Sequence, residues 1–360
     1  MHDSQTNIHR GMVDVEDDDI IVELRDDLGA SVMLSEAVET SPTKSSCSSS
    51  SSKKKKTKDP THGSSRDSNS VIRHLVLSGG GTSGLVAFGA LRASQQQQPQ
   101  PLWSHDDIVS IDAVSAGTIL AILIALRFDW DDAETYLVKR PWHHVIKSDL
   151  YGMLGAFERR GMWGQEIFEE LLSPLLLAKN LDKTSTLDDL HRVSGIDVHL
   201  YTVAMKERCE LVDLSHRTHP TWTIIEAVYA SSCVPVLFAP LFKDGIGYVD
   251  GGILLNYPLP KCLERPTTGH GDTILGINKQ LDDTEPMQST STLFDTLTYL
   301  ITHIIMSSRH RIPLPSLRHE FHITSGLVTS LDILHLCSSE SLRQTLVDEG
   351  KAIASSSKKN

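Results

Sequence analysis

Val71-Ile72-Arg73-His74-Leu75-Val76-Leu77-Ser78-Gly79-Gly80-Gly81-Thr82-Ser83-Gly84 is the stretch from which the architecture of this chain is read. Val71 to Leu77 is a short, apolar, β-type run that stops at a glycine turn. Leu85 to Ala93 then reads as a helix, so the order is strand, glycine turn, helix. Glycines let a backbone aim its N–H groups at a common point, and a helix N-terminus adds positive potential, which makes a site for negative charge. Two chemistries use such a site. Gly79, Gly81 and Gly84 have the Gly-x-Gly-x-x-Gly spacing of a dinucleotide fold, with Asp106 or Asp107 about where a ribose-binding acid is expected. The same geometry serves acyl-transfer enzymes as an oxyanion hole. The turn alone does not choose between them.

Further along, Ile108 to Ile111 reads as a second buried strand, followed by Ala113-Val114-Ser115-Ala116-Gly117 and an apolar helix over Thr118 to Arg127. A nucleophile elbow sets its serine on a strained strand-to-helix turn between small neighbours. Its usual form is Gly-x-Ser-x-Gly; here Gly117 fits, and Ala113 stands where the first glycine would be. A serine that caps a helix is the plainer reading of the same pentapeptide. Ile246 to Val249 is a strand that ends at Asp250-Gly251-Gly252, which by itself signals a turn. A serine hydroxyl must lose its proton as it attacks, and a carboxylate within hydrogen-bond reach serves as base without histidine.

Between these motifs, Ile167–Leu172, Leu187–Val193 and Thr223–Ser231 have helical patterns, with Pro174 expected to end the first. Val198–Met205 alternates as a strand. Strands alternating with helices, with special residues just past the strand ends, describe an α/β sheet whose site lies at the carboxyl ends of the strands.

The flanks differ in character. Residues 1–70 combine an acidic stretch, Asp14 to Asp27, a serine run, Ser45 to Ser52, and Lys53 to Lys56 with Lys58. Such composition buries too little apolar area to offset the entropy of ordering, so a disordered low-complexity tail is expected. The lysines read as a solvated linker, a nuclear signal or an anionic-lipid tether. Past about residue 285 a helical extension is expected through 360. Within it, Leu293 to Met306 has apolar residues at i, i+3, i+4 and i+7, for core packing or for touching a membrane.

The balance of 34 basic against 46 acidic residues, a net charge of −12, argues against nucleic acid as the main partner. The longest apolar stretch, Ala113 to Leu126, is too short to span a bilayer. No apolar leader follows Met1, and His2 excludes myristoylation there. Five scattered cysteines with no Cys-x-x-Cys pair argue against disulfides or zinc. An intracellular, cytoplasmic protein is the expectation.

The glycine turn, the elbow serine and Asp-Gly-Gly, in that order, resemble the patatin-like phospholipase family. Two further segments carry the resemblance: Ala230-Ser231-Ser232-Cys233-Val234-Pro235, with Phe238 and Pro240, and Tyr248-Val249-Asp250-Gly251-Gly252-Ile253-Leu254-Leu255-Asn256-Tyr257-Pro258. The match spans roughly Ile72 to Pro260. It implies a three-layer α/β sandwich over residues 71–285 and hydrolysis of lipid acyl esters by a Ser–Asp dyad. Carried over, Ser115 is the nucleophile and Asp250 the base. Backbone N–H groups of Gly79, Gly80 and Gly81 form the oxyanion hole, and Gly84, Ala113, Gly117, Gly251 and Gly252 complete the motifs. No metal, calcium or other cofactor is called for. The implied partners are a phospholipid or glyceride substrate and, transiently, a membrane or lipid-droplet surface. The family usually carries a basic residue just before the last glycine of the first motif, where this chain has Ser83.

Other readings stay open beside this one: a transacylase, a catalytically weak lipid-binding member of the same fold, and a nucleotide-binding oxidoreductase that uses only the glycine turn. None of the 17 histidines stands in a recognisable site context. Cys233 reads as a small core residue, and Trp163 as packing or as the lining of an acyl channel.

Overall fold

The computed structural model describes residues 71–146, 155–156, 158–268, 271–281, 293, 296–297, 299–301, 314–325 and 329–356. The tail expected over 1–70 and most of the Leu293–Met306 stripe lie outside these residues, as do His303 and His310.

The strands are β1 (His74–Leu77), β2 (Ser110–Ala113), β3 (Gly161–Trp163), β4 (Asp197–Met205), β5 (Cys209–Leu214), β6 (Val236–Phe238), β7 (Leu241–Lys243), β8 (Ile246–Asp250), β9 (Ile274–Leu281) and β10 (His319–Ser325). The main sheet runs β10-β9-β1-β2-β4-β8-β7, with β5 also on β4, while β3 and β6 pair with each other. β10, β9, β1, β2 and β4 are parallel; β5 and β8 run antiparallel to β4, and β7 antiparallel to β8. β5 takes up the edge of β4 from Leu200 to Met205, where β2 has ended.

The helices are α1 (Gly84–Gln95), α2 (Ala116–Ala125), α3 (Trp130–Lys139), α4 (Glu166–Leu177), α5 (Leu187–Ser194), α6 (Ile224–Ser232), α7 (Gly252–Leu255), α8 (Leu259–Glu264), α9 (Ser330–Ser338) and α10 (Glu340–Ser356). Strand alternation sorts them into layers. Leu75 and Leu77 of β1 join the large core with α1, α2 and α6, whereas Val76 between them packs on the other face with Tyr257, Leu259 and Cys262. The expected α/β sandwich, with helices on both faces of a mixed sheet, is the fold. Local signals set its helix starts. Thr186 with Asp189, Thr223 with Glu226 and Thr329 with Asp332 form reciprocal capping boxes at α5, α6 and α9.

Pro174 does not end its helix, since α4 continues to Leu177. Proline lacks the N–H that would bond the carbonyl four residues back. That carbonyl, on Glu170, accepts instead from Arg140 Nη1 at 2.8 Å. The predicted second strand also starts two residues later, at Ser110.

The described residues past 285 belong to the same compact unit as the sheet. Beside the expected helices, that segment supplies β10 at the sheet edge. α10 crosses α1 with backbones in contact: a Cβ on Gly89 would lie 2.0 Å from the Val347 carbonyl oxygen, and one on Gly350 1.9 Å from that of Val86. Buried Arg343 of α10 donates to the carbonyls of Val138, Arg140, Leu336 and Cys337, at the C-terminal ends of α3 and α9. A cation at these ends meets the negative pole of each helix.

Candidate active site

Register brings the first two motifs together. Leu77 of β1 is level with Ala113 of β2, so Gly79 and Ser115, each two residues further on, reach the same sheet edge. Ser115 has φ +53° and ψ −129°, a conformation that side chains rarely adopt and that persists only where the surroundings enforce it. The enforcement is visible. The Ser115 N–H donates to the carbonyl oxygen and Oγ of Ser231, at 3.1 and 3.2 Å, and Thr118 Oγ1 donates to the Ser115 carbonyl at 2.6 Å. A Cβ on Gly117 would stand 2.8 Å from the carbonyl oxygens of Leu77 and Ser78, so only glycine lets α2 start this close to β1. Ala113 is fully buried in the main core, which takes up its methyl group.

The glycine turn follows β1 as one turn of 3-10 helix, Gly81–Ser83, leading into α1. Gly81 has φ +55°. A Cβ on Gly79 would lie 2.9 Å from Ser115 Cβ and 2.5 Å from Asn256 Oδ1, so the turn rests directly on the serine. Gly84 opens α1 beside Ala116 of α2. Both helices thus start next to Ser115, and their positive poles favour negative charge there.

Asp250 ends β8, where it pairs with Thr202 of β4. Its Oδ1 accepts from the Gly252 N–H at 2.6 Å. The Gly251 backbone lies against the Tyr201 carbonyl. The end of α6 ties this corner to the elbow, because Ser231 O also accepts from the Gly251 N–H at 3.4 Å and Cys233 O accepts from the Asp250 N–H at 3.0 Å. Ser115 and Asp250 are 8% and 3% exposed. Both line one cavity of about 340 Å³, together with Gly79, Gly80, Gly81 and Gly252. Away from these residues the wall is mainly apolar, with Trp142, Phe168 and Phe238 on one part and Ile301, Ile333 and Leu336 from the C-terminal segment on another. Among the described residues no histidine lines it.

Asn256 and Lys279 line the cavity without a role legible in the sequence. Asn256 lies four residues past Gly252 in the segment that follows Asp250, and nothing local in the sequence names its partner. Its Nδ2 donates to the Gly79 carbonyl at 2.9 Å, and its own carbonyl accepts the Gly79 N–H at 3.0 Å. Its Oδ1 would also stand 2.9 Å from a Cβ on Gly252, so it lies between the Gly79 and Asp250 sides of the site. Lys279, two residues before the end of β9, belongs to no motif.

The dinucleotide alternative loses its acid. Asp106 lies in the turn ahead of β2, at the opposite sheet edge from the glycine turn, and pairs with Arg127. Cys233 is fully buried, with its thiol pushed up by burial, as suits a core residue. Trp163 packs on Phe238 with ring centroids 5.6 Å apart.

Among the described residues one group has a metal-ligand composition: His191, Asp197 and His216. Asp197 pairs with Ser110 at the far edge of the sheet from Ser115. The two imidazoles stack at 3.7 Å with 3° between their planes. Lone pairs in parallel planes do not converge on one ion, and Arg217 already holds the Asp197 carboxylate.

A family model described as "Patatin-like phospholipase" matches residues 75–263. Over 193 residues the chain is 28% identical to an uncharacterized protein of Acanthamoeba polyphaga mimivirus, a match covering 53% of this chain and 62% of that one. It is 22% identical to "Probable lipid hydrolase 463L" of Invertebrate iridescent virus 6, over 51% of this chain and 61% of the other. To "Calcium-independent phospholipase A2-gamma" of Mus musculus it is 23% identical, over 66% of this chain and 32% of that protein. The chain thus spans about six-tenths of the two viral relatives and about a third of the mouse protein.

Proposed function

The chain belongs to the patatin-like phospholipase family, and from that premise we propose that it hydrolyses fatty-acid esters of phospholipids or neutral glycerides with Ser115 as nucleophile and Asp250 as base. The observation that carries this reading is the shared cavity. Ser115, on its strained turn, lines the same apolar chamber as Asp250 and the glycine turn, with no histidine on the wall among the described residues.

In the proposed course, the Asp250 carboxylate takes the Ser115 Oγ proton as Oγ bonds to the ester carbonyl carbon. The carbonyl π electrons move to oxygen, where backbone N–H groups of Gly80 and Gly81 stabilise the developing charge; the Gly79 N–H, expected from the sequence to join them, is instead taken by the Asn256 carbonyl. As the carbon–oxygen bond breaks, the leaving alcohol takes the proton from Asp250, and the acyl group stays on Ser115. Water, deprotonated by Asp250, then attacks the acyl carbon. Ser115 leaves with the proton restored, and the fatty acid is released.

Trp142, Phe168 and Leu336 offer an acyl chain a dry wall. Exposed leucines stand on the elements around the cavity: Leu254 on α7, Leu331 on α9, and Leu297 and Leu300 beside the lining residue Ile301. They support transient docking on an intracellular membrane or droplet surface. No helix among the described residues is long and apolar enough to cross a membrane.

The test is fatty-acid release from mixed phospholipid and triglyceride vesicles by the unaltered chain, Ser115→Ala and Asp250→Asn, each checked for folding. Release lost in both variants is expected and names the lipid class. Equal release by all three overturns the dyad. Product analysis with an added alcohol acceptor separates hydrolysis from transacylation.

A further inference from the structure

From Gly79 to Gly84 the glycine turn has no basic side chain of its own. The sheet delivers one from another strand. Leu77 of β1 is level with Ala113 of β2 on one side and Ile277 of β9 on the other. Gly79, Ser115 and Lys279 are each two residues past that level, so three neighbouring parallel strands present turn, serine and lysine at one edge.

Lys279 is held in place by its backbone N–H, which donates to Ser78 Oγ at 2.8 Å. Its Nζ donates to the Gly80 carbonyl at 3.3 Å, and it lines the cavity with Gly79, Gly80, Gly81 and Ser115. The same carbonyl accepts from Ser83 Oγ at 2.9 Å and from the Ser83 N–H at 3.2 Å. Three donors on one carbonyl fix the Gly80–Gly81 peptide plane. In a trans peptide N–H and C=O point opposite ways, so pinning the Gly80 oxygen toward Lys279 and Ser83 turns the Gly81 N–H away from them. Asn256 does the same for the preceding peptide by holding the Gly79 carbonyl.

We propose that Lys279 is a positioning residue for the reaction: its ammonium orients the Gly80–Gly81 peptide and supplies the positive charge that the glycine turn lacks. This rests on the hydrolase reading above. The ammonium acts through the carbonyl it holds, making the Gly81 N–H a preorganised donor to negative charge developing beside Ser115. Glycine loses more freedom than other residues when it is fixed, so an unpinned three-glycine turn samples orientations that do not donate.

The test compares the full chain with Lys279→Met and Lys279→Arg on p-nitrophenyl butyrate, a neutral soluble ester without a head group. Melting curves are recorded for each protein. Lys279→Met is expected to lower kcat about tenfold or more, short of the 10²–10³ that loss of an oxyanion donor itself costs, with KM within about twofold. Lys279→Arg is expected to retain most of kcat, because a guanidinium keeps both the charge and a donor for the Gly80 carbonyl. Full kcat in Lys279→Met, beside an active unaltered chain, overturns the proposal and leaves the hydrolase reading standing. Equal losses in both variants overturn it in favour of simple packing. An unaltered chain that hydrolyses no ester sinks the hydrolase reading and this proposal with it.

Discussion

Asn256 and Gly79 hold each other from both ends: the Gly79 N–H donates to the Asn256 carbonyl at 3.0 Å, and Asn256 Nδ2 donates to the Gly79 carbonyl at 2.9 Å. The asparagine follows the Asp250 corner, and the glycine lies against Ser115. This reciprocal pair therefore sets the spacing between the parts of the proposed site. Asn256→Ala is expected to lower kcat on a soluble ester about tenfold or more with little change in melting temperature. Asn256→Asp keeps the shape and loses the donor, so it should resemble the alanine variant. Full activity in the aspartate variant would show that the hydrogen bond to Gly79 is unimportant.

Gly117→Ala puts a methyl 2.8 Å from two carbonyl oxygens, both backbone atoms that cannot swing aside. The start of α2 must move, and Ser115 with it. A loss of about 1–3 kcal/mol in stability is expected, read from urea denaturation. Loss of Ser115 labelling by a fluorophosphonate should accompany it.

Asp112 is fully buried in β2, where Arg265 Nη1 donates to it at 2.7 Å and the Tyr201 hydroxyl at 2.8 Å. Arg265→Met strands that carboxylate in the core and is expected to cost about 3–5 kcal/mol. The double variant Asp112→Leu with Arg265→Met removes both charges and should recover a large part of the loss. A double variant no more stable than Arg265→Met alone would contradict this account.

Glu134 of α3 meets Arg92 of α1 and Gln344 and Lys351 of α10. Burial pushes its carboxyl up, but the bonds from Gln344 and Lys351 and the charges of Lys351 and Arg92 outweigh it, so its pKa lies below 4.5. Glu226 is likewise lowered, burial being outweighed by Lys243 and the Thr223 cap. For a carboxyl depressed in the folded state, the unfolded chain binds protons more readily. Its stabilisation is present above the unfolded pKa and is lost as pH falls through the folded one. Melting temperature should therefore drop as pH falls below about 4.5, the ordinary glutamate value. Glu134→Gln should start lower at pH 7 and fall less steeply.

Gly350→Ala drives a methyl into the Val86 carbonyl at the crossing of α1 and α10. Backbone separation there is expected to cost about 1–3 kcal/mol. Because α10 also carries Arg343, which lines the cavity, the proposed esterase activity should fall with it. An alanine variant with unchanged melting and activity would mean that the helices part without consequence.

Much was legible in the sequence because each motif is a local conformational demand met by consecutive residues. Val71 to Gly84 spelled strand, turn and helix. Ala113 to Gly117 spelled an elbow because small neighbours are what such a turn needs. The threonine–acid pairs that cap α5, α6 and α9 are one-turn devices as well, but the structure, not the sequence reading, revealed them. Where local rules misled, a distant group had intervened. Pro174 was expected to stop α4, and Arg140, from a different element, satisfied the carbonyl that proline leaves unbonded.

What only the tertiary structure decided are the meetings between segments far apart in the chain. Lys279 reaches the glycine turn, 199 residues earlier, because β9 lies parallel and in register beside β1. α10 closes on α1 because Gly89 and Gly350 fall at the same crossing. Asn256 grips Gly79 across 177 residues. Backbone conformation is governed by near neighbours and can be read residue by residue. Register, helix crossings and the orientation of a peptide plane are set by packing over the whole body, and no short stretch of sequence contains them.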